Sequence, residues 1–408
     1  MAAADIALLF VCTGFVFIMT PGLAFFYGGL VRKKNVLSMM AKNMMVIALV
    51  TIIWFLGAYS FAFAPGTGFI GGIDYLGYNN VWFPPNTSYS GDLPHLLYSM
   101  FQLMTAIITV AIVASPFAER VKFGSFLLFA GVWLILVYAP IAHWVWGVDG
   151  WLKTMAPSGI LDFAGGTVVH VNAGFSALAV ALVIGPRKGY RKEPMEPASV
   201  PYVVLGMGLL WFGWLGFNGG SALAANEIAV LAIFNTNLAA CAAGFIWVVI
   251  GRAKTGKSSL LGFLTGALAG LVAITPAAGY VPIWAALVIG LVVGGLCYAT
   301  VLFRGRSKID ESLDAWAVHG CGGLWGVIAT GIFAAGIVPG AVGLIAGNAY
   351  QLWTQTIGAI VTMVYSFVVT YIIAWIINKT RGLRVKDEEE YVGLDITQHG
   401  EKIMMGME

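Results

Sequence analysis

The sequence predicts an all-α polytopic membrane protein with about eleven transmembrane helices. Of its 408 residues, 59% are hydrophobic and only 10% are charged, which excludes an ordinary soluble domain. The apolar residues come in runs long enough to cross a bilayer as helices. Nearly all basic residues then fall in every second loop, on one predicted side of the membrane, a pattern that a wrong span count would scramble.

Eleven apolar runs define the predicted spans. The first run reaches Val31, too far for the core of a signal peptide, so we take it as a span. We place the membrane domain at residues 1–378 and a polar cytoplasmic tail, too short for an enzymatic or signalling domain, at residues 379–408. The spans cover residues 6–31, 43–64, 96–116, 123–143, 163–185, 199–217, 227–250, 259–275, 281–303, 315–335 and 350–378.

The basic residues set the predicted orientation. Of the 22 Lys and Arg residues, 21 fall on one side of the eleven spans, and only Lys153 falls on the other. Basic residues favour the cytoplasmic side, so the N-terminus is predicted outside and the C-terminus inside. We therefore expect a multi-pass protein of the cell membrane. Nothing in this charge pattern calls for a nucleic-acid partner.

Glycine spacing indicates close helix packing. Gly262, Gly266 and Gly270 form one ridge of small residues, and Gly290 with Gly294 forms another. Ridges with this four-residue spacing let helix backbones approach closely inside a membrane.

Spans five and ten share a Val-His-x-x-x-Gly unit. Val169-His170 precedes Gly174, and Val318-His319 precedes Gly323, with 149 residues between the two histidines. We interpret this as two five-helix repeats, at about 6–185 and 199–335, followed by a long final helix at about 350–378. Because five is odd, the repeats are inverted, an arrangement in which transport sites form near the midplane at the repeat interface.

The two matched histidines are the first candidate site residues. Ionisable side chains at such depth are costly and usually face a bundle interior or a pathway. His170 and His319 could share one hydrogen bond between ring nitrogens and present their other nitrogens to a small permeant molecule. Asp162 opens span five on the predicted outer side, where it could cap the helix, attract cations, or do both.

Aromatic residues at the outer end of span six form a second candidate region. Trp211, Trp214 and Phe217 precede two glycines and Ser221. Aromatic faces combined with a hydroxyl acceptor suit an ammonium-type ion.

Other chemistry has little support. The four cysteines lie in apolar runs, which indicates neither disulfides nor a metal site. Residues 251–258 match the P-loop pattern, but they follow a membrane span rather than a strand. We predict no cofactor and no enzymatic activity.

Taken together, these segments resemble the ammonium transporter (Amt/Mep/Rh) family, closest to its prokaryotic Amt branch, over essentially the whole chain. The stretch from Asp162 to Asn172 is highly specific. The other matching stretches are 21–35, 118–120, 216–221, 225–227, 318–320, 382–385, 393–395 and 399–401.

The resemblance implies a homotrimer with one pore per subunit, pore histidines at His170 and His319, and a structural acid at Asp162. It implies an outer ammonium recruitment site at Trp146, Ser221 and Phe101, with an aromatic gate below it.

Phe217 matches one gate residue, but the second gate phenylalanine of the family aligns with Thr105. Phe101 or Trp214 could close the pore instead, and both remain open at this point. The tail also implies docking of a PII-type signalling protein at the inner face.

The predicted function is transport of ammonium or ammonia past the twin histidines, after loss of a proton. Two alternatives remain. An ammonium sensor would be expected to carry an appended cytoplasmic domain, and an Rh-like gas channel would not need the outer recruitment site.

Overall fold

Eleven apolar helices make up the body of the protein in this computed structural model, which describes residues 3–403. Ten of them are long and apolar enough to cross a membrane, whereas α8 has only 15 residues. The helices are α1 Ala3–Leu30, α2 Lys33–Phe63, α3 His95–Val113, α4 Phe123–Trp146, α5 Gly166–Ile184, α6 Val200–Gly220, α7 Glu227–Thr255, α8 Leu260–Ile274, α9 Ile283–Arg306, α10 Trp316–Phe333 and α11 Ala349–Thr380.

The predicted all-α membrane fold is therefore confirmed, with α8 as a short eighth helix. At 1.5 Å per residue, α8 spans about 22 Å, less than the roughly 30 Å of a bilayer core. Large apolar side chains cover the outside of the bundle, where a soluble protein would carry charges. Examples are Phe10, Phe55, Phe245, Trp353 and Trp375, all exposed.

The predicted glycine ridges are packing surfaces for α7. A Cβ atom on Gly270 of α8 would lie 2.3 Å from the carbonyl oxygen of Ala239, and one on Gly290 of α9 would lie 2.4 Å from the same atom. No side chain fits at such distances. The two ridges thus let α8 and α9 approach α7 from different sides, as the four-residue spacing predicted.

Helices α5 and α10 meet in the centre of the bundle, and α11 packs against both. Helices α5 and α10 each begin with a six-residue π-helical segment that contains the histidine. The segment is Gly166–Val171 in α5 and Trp316–Cys321 in α10. A Cβ atom on Gly174 would lie 2.1 Å from the backbone nitrogen of Gly320, and one on Gly323 would lie 3.0 Å from the Cβ atom of His170. The glycine of each Val-His-x-x-x-Gly unit therefore packs against the histidine-bearing segment of the other unit, and a side chain at that position would prevent this contact.

A buried ion-pair network joins the loops at the predicted inner end of the bundle. Asp310 pairs with Arg120 at 3.0 Å and with Arg187 at 2.9 Å. Arg187 also pairs with Glu119 at 3.1 Å, and Glu119 pairs with Arg32 at 2.5 Å. Burial alone would raise the pKa of Asp310, but the hydrogen bond from Arg187 and the charges of both arginines hold it below its usual range. The network connects the loops that follow α1, α3, α5 and α9.

Lys42 lies in a different place from the one we predicted. Because predicted span two begins at residue 43, we expected Lys42 in the preceding loop. In the structure it lies inside α2 and is fully buried. Its Nζ donates to the Oγ atom of Ser38 at 2.8 Å, one helical turn away. The helix thus begins earlier than hydropathy suggests, and this local bond satisfies part of the buried Lys42 side chain.

The tail returns to the predicted inner end of the helical body. Two short helices, α12 Asp387–Val392 and α13 Leu394–His399, follow α11. Glu390 accepts from the backbone nitrogen of Lys188 at 2.7 Å, and Asp395 accepts from the backbone nitrogen of Ser38 at 2.8 Å. The tail is thus held by specific polar contacts to the loop after α5 and to the start of α2.

We expect Asp310→Asn to destabilise the protein strongly, because it leaves two buried arginines without their shared counter-charge. The expected loss is about 3–5 kcal/mol, measured as a fall in the melting temperature of the solubilised protein. Since the pKa of Asp310 is depressed in the folded state, its stabilising effect is present at neutral pH and is lost as the pH falls through that pKa.

Asp387→Asn is the matched control for this prediction. Asp387 pairs with Lys188 at 2.7 Å, but both side chains are exposed. Exposed pairs contribute little to stability, so the melting temperature should stay unchanged. Equal destabilisation by the two substitutions would contradict the role of the buried network.

Candidate conduction path

Six of the nine candidate site residues line one cavity at the predicted outer end of the bundle. We call it the aromatic cavity, and its volume is about 240 Å³. It lies between α3, the end of α4, the segment before α5 and the end of α6. The six residues are Phe101, Thr105, Trp146, Asp162, Phe217 and Ser221.

Asp162 organises the start of α5 from within this cavity wall. Its carboxylate accepts from the backbone nitrogens of Gly165 at 2.8 Å, Gly166 at 2.6 Å and Thr167 at 2.8 Å. It also accepts from the Thr167 hydroxyl and, at 3.3 Å, from the backbone nitrogen of Val168. With these donors around it, the carboxylate satisfies the free N–H groups of the helix that carries His170. Asp162 therefore acts as a cap, four residues before the helix begins.

Trp146 closes the side of the cavity next to Asp162. Its indole nitrogen donates to the backbone oxygen of Asp162 at 3.0 Å, which fixes the ring at the cavity wall. The Ser221 hydroxyl donates to the backbone oxygen of Phe217 at 2.8 Å. Because that bond uses the only hydroxyl proton, the oxygen of Ser221 keeps acceptor capacity for a donor in the cavity.

The floor of the aromatic cavity is closed by buried rings. Phe101 and Phe217 are each 1% exposed, and Thr105 is equally buried one turn below Phe101. The Thr105 hydroxyl donates to the backbone oxygen of Phe101 at 3.2 Å, within its own helix. The hydroxyl proton of Thr105 is thus used within its own helix, and the side chain adds no bulk comparable to that of a phenylalanine.

Trp214 lies between this floor and the histidines. Its ring is 6.2 Å from the ring of Phe217 and stacks on that of His170 at 5.2 Å, measured between centroids. Its indole nitrogen donates to the Thr275 hydroxyl at 2.8 Å. Trp214 therefore supports both the floor of the cavity and the orientation of His170.

His170 and His319 meet as the sequence repeat predicted. Their Nδ1 atoms lie 3.3 Å apart, and both side chains are buried. In a hydrogen bond between these two nitrogens, one must donate and the other must accept. At most one of the two Nδ1 atoms is therefore protonated. Within the part of the chain that the structure describes, the Nε2 atom of His170 has no hydrogen-bond partner.

A second cavity begins at His319 and lies towards the predicted inner end. We call it the His319 cavity, and its volume is about 180 Å³. Its lining includes Tyr27, Thr265, Val318 and Asp314. The histidine pair thus stands between two cavities, and the buried rings of Phe101, Phe217 and Trp214 separate it from the outer one.

Lys153 belongs to the aromatic cavity, although sequence reasoning gave it no role. It lines the cavity mouth, and its Nζ donates to the backbone oxygen of Trp146 at 3.0 Å while lying 5.5 Å from the centre of the Tyr89 ring. Burial lowers the pKa of Lys153, whereas the charge of Asp149 acts to raise it. The sequence did contain a signal for this residue, because Lys153 is the single basic residue on the predicted outer side.

The P-loop pattern does not form a phosphate cradle. Gly251 to Thr255 form the last turns of α7, and Gly256 ends that helix with a φ angle of 75°. At the C-terminal end of a helix, the backbone N–H groups are hydrogen-bonded inside the helix. In a P-loop, the backbone N–H groups must instead point towards the phosphate.

Comparisons with known proteins identify the family of this chain. The family described as Ammonium Transporter Family matches residues 7–404. The ammonium transporter Amt1 of Archaeoglobus fulgidus is 48% identical over 98% of this chain and 99% of its own length.

Solved structures show the same fold. The crystal structure of Saccharomyces cerevisiae Mep2 superposes with a TM-score of 0.89 at 38% identity, over 95% of this chain and 89% of that one. A structure described as a sensor Amt protein has the same TM-score at 31% identity, over 97% of this chain and 98% of that one. By sequence and by fold, the chain belongs to the ammonium transporter family.

Proposed function

We propose that this protein carries ammonium across the cell membrane by receiving it in the aromatic cavity and passing it as ammonia along the His170–His319 pair. The alignment of two cavities with a buried histidine pair between them is the observation that carries this proposal. Its direction, from the aromatic cavity inwards, rests on the predicted orientation of the termini.

Ammonium recognition in the aromatic cavity would use ring faces and one hydroxyl. Trp146 and Phe101 offer faces to a cation, and Ser221 offers an acceptor lone pair. Potassium has a similar size and charge, but it does not donate hydrogen bonds. A directional acceptor such as the Ser221 oxygen therefore favours ammonium. The carboxylate of Asp162 contributes its field rather than a contact, because its lone pairs are taken by α5.

The buried rings below the cavity would force the cation to lose its proton. Burying an unpaired charge among apolar groups costs on the order of tens of kcal/mol. Ammonium can avoid this cost by leaving a proton behind, whereas potassium cannot. Selectivity then arises twice, once at the acceptor and once at the apolar barrier.

The histidine pair suits a small neutral molecule that both donates and accepts hydrogen bonds. If one Nδ1 donates to the other, then in the neutral pair one ring has a bare Nε2 and the other an Nε2–H. Ammonia could accept from the second and donate to the first. If the bare Nε2 takes up a proton, the shared proton moves to the other ring, and that ring releases its own Nε2 proton, the two rings exchange roles. One proton has then crossed the pair, so the pair can also serve a proton that follows the ammonia.

Phe101 and Phe217 are our proposed gate. Both rings are buried at the cavity floor, whereas Trp214 is committed to His170 and Thr275. Phe101 would compensate for the absence of a phenylalanine at position 105, one turn further along α3.

A sensor role has weaker support than transport. The relative described as a transporter is 48% identical, against 31% for the structure described as a sensor. A gas channel of the Rh type would not require the ring and hydroxyl arrangement of Trp146 and Ser221.

We further propose that the protein forms a homotrimer and that a PII-type partner binds at the tail, both from the family resemblance. We also propose that the membrane domain consists of two inverted repeats.

We expect His170→Ala/His319→Ala to abolish the coupling between ammonium and charge movement. The measurement is the current of purified protein in liposomes, pulsed with ammonium and then with potassium, together with internal pH. The wild type should give an ammonium signal and none with potassium, and the double variant should lose the current. If no ammonium signal of either kind appeared with well-folded wild-type protein, transport would be refuted and the sensor hypothesis favoured.

The gate proposal predicts unequal effects along α3. Phe101→Ala should admit water to the histidine pair and allow a potassium current, because it removes a ring from the apolar barrier. Thr105→Val keeps the volume of the side chain and removes only a hydroxyl that bonds within its own helix, so selectivity should be unchanged. A potassium leak in the Thr105 variant alone would place the gate elsewhere.

Lys153 should weaken ammonium capture through like-charge repulsion. Two unit charges roughly 7 Å apart in water repel each other by about 0.6 kcal/mol, which corresponds to roughly a threefold change in affinity. Lys153→Gln should lower the half-saturating ammonium concentration by about that factor at low salt, while Lys153→Arg, which keeps the charge, should not. An equal effect of both variants would point to packing rather than charge.

A further inference from the structure

A concave basic pocket lies at the predicted inner end, away from the conduction path. Its volume is about 590 Å³, and its walls come from the loop after α5, the segment after α9 and the tail. None of its lining residues lines either of the two cavities described above. Six basic side chains face it against one carboxylate, Asp387. They are Arg187, Lys188, Arg191, Lys192, Lys308 and Arg384.

The two most buried of these side chains are held in place by internal contacts. Arg187 is clamped by Asp310 and Glu119, and Arg384 pairs with Glu390 at 2.5 Å while donating to the backbone oxygen of Pro186 at 2.8 Å. These bonds order the pocket wall before any ligand arrives. A preordered wall loses less conformational entropy on binding.

Other basic side chains at the rim have no anionic partner. Within residues 3–403, Lys192 and Lys308 form no ion pair and donate no side-chain hydrogen bond, and both are exposed. Arg191 has only a 3.4 Å contact with the backbone oxygen of Ser307. The pocket therefore combines an ordered basic wall with a rim of unpaired positive charge.

The positive-inside bias explains why basic residues lie on this face, but not why six of them converge on one cavity. Lys257 and Lys379 satisfy the same bias, are exposed, and lie outside the pocket. The positive-inside rule requires only that basic residues lie close to the membrane on the cytoplasmic side. It does not need a concave arrangement built from three separate segments.

We propose that this pocket binds a phosphate group, carried either by an anionic lipid headgroup or by a soluble phosphate. Phosphate oxygens accept several charge-assisted hydrogen bonds at once from Arg and Lys side chains. The pocket begins directly after α5 and α9 end, which places it near the depth of lipid headgroups. Lys188 now pairs with the exposed Asp387 at 2.7 Å, so a bound phosphate would compete with that tail residue.

Native mass spectrometry of the full-length protein in detergent tests the proposal. The probes are short-chain phosphatidic acid and inorganic pyrophosphate, with short-chain phosphatidylcholine as the reference. The pocket variant is Lys192→Gln/Lys308→Gln, and the matched control Lys257→Gln/Lys379→Gln removes the same charge from the same face. Both single pocket variants are measured too, with melting temperatures to verify folding.

We expect the wild type to bind at least one phosphate probe more tightly than phosphatidylcholine. The pocket variant should bind that probe about tenfold more weakly, corresponding to about 1.4 kcal/mol, and the control should match the wild type. Binding of pyrophosphate without lipid would identify a soluble source. Binding of phosphatidic acid that pyrophosphate does not displace would identify a lipid headgroup.

Two results would overturn the proposal. One is the absence of any preference for a phosphate probe in the wild type, which would leave an acidic protein partner as the remaining occupant. The other is an equal loss in the pocket and control variants, which would mean that the face attracts anions without a defined site. Neither result bears on ammonium transport, because the pocket is separate from the histidine path.

Discussion

The close crossing of α5 and α10 is the contact on which the rest of the site depends. A side chain at Gly174 would collide with the backbone of Gly320, and one at Gly323 would press on His170. Any larger residue at these positions would move the helices apart and separate the two imidazoles, which now lie 3.3 Å apart at Nδ1. The distance between the histidines is thus set by backbone contact. The π-helical start of each helix and the capping by Asp162 then orient the rings within that contact.

The proposed ammonium site has very little formal charge of its own. Among residues 3–403, the one carboxylate that lines the aromatic cavity is that of Asp162. It is surrounded by donors from α5, and Lys153 adds a positive charge at the mouth. A strong anionic site would hold potassium as well as ammonium and would release neither readily. In the proposed mechanism, the rings, one acceptor and a carboxylate already hydrogen-bonded to α5 attract the cation only weakly. Selection then falls to the apolar barrier below, which only an ion that can lose a proton can pass.

The opposite end of the bundle concentrates its charges. Asp310, Arg120 and Arg187 are buried together, and their pairs link loops from both halves of the chain. Such groups are stable only as a complete set, because each one alone would be an uncompensated buried charge. Arg187 also forms part of the wall of the basic pocket, and Glu390 of the tail pairs with a second wall residue, Arg384. The predicted inner end is therefore where stability, tail docking and the proposed phosphate site share residues.

The sequence by itself determined the helical membrane fold, the approximate positions of the helices, and most of the candidate residues that gather around the aromatic cavity and the histidine pair. Bilayer thickness and the avoidance of charge in lipid impose these patterns locally, so composition and spacing are enough to read them. Only the tertiary structure decided which lone pairs of Asp162 remain available, where Lys42 and Lys153 lie, and which rings close the floor beside Thr105. It also decided which basic loops converge. These properties depend on contacts between residues far apart in the chain, and no local pattern encodes a distance between two helices.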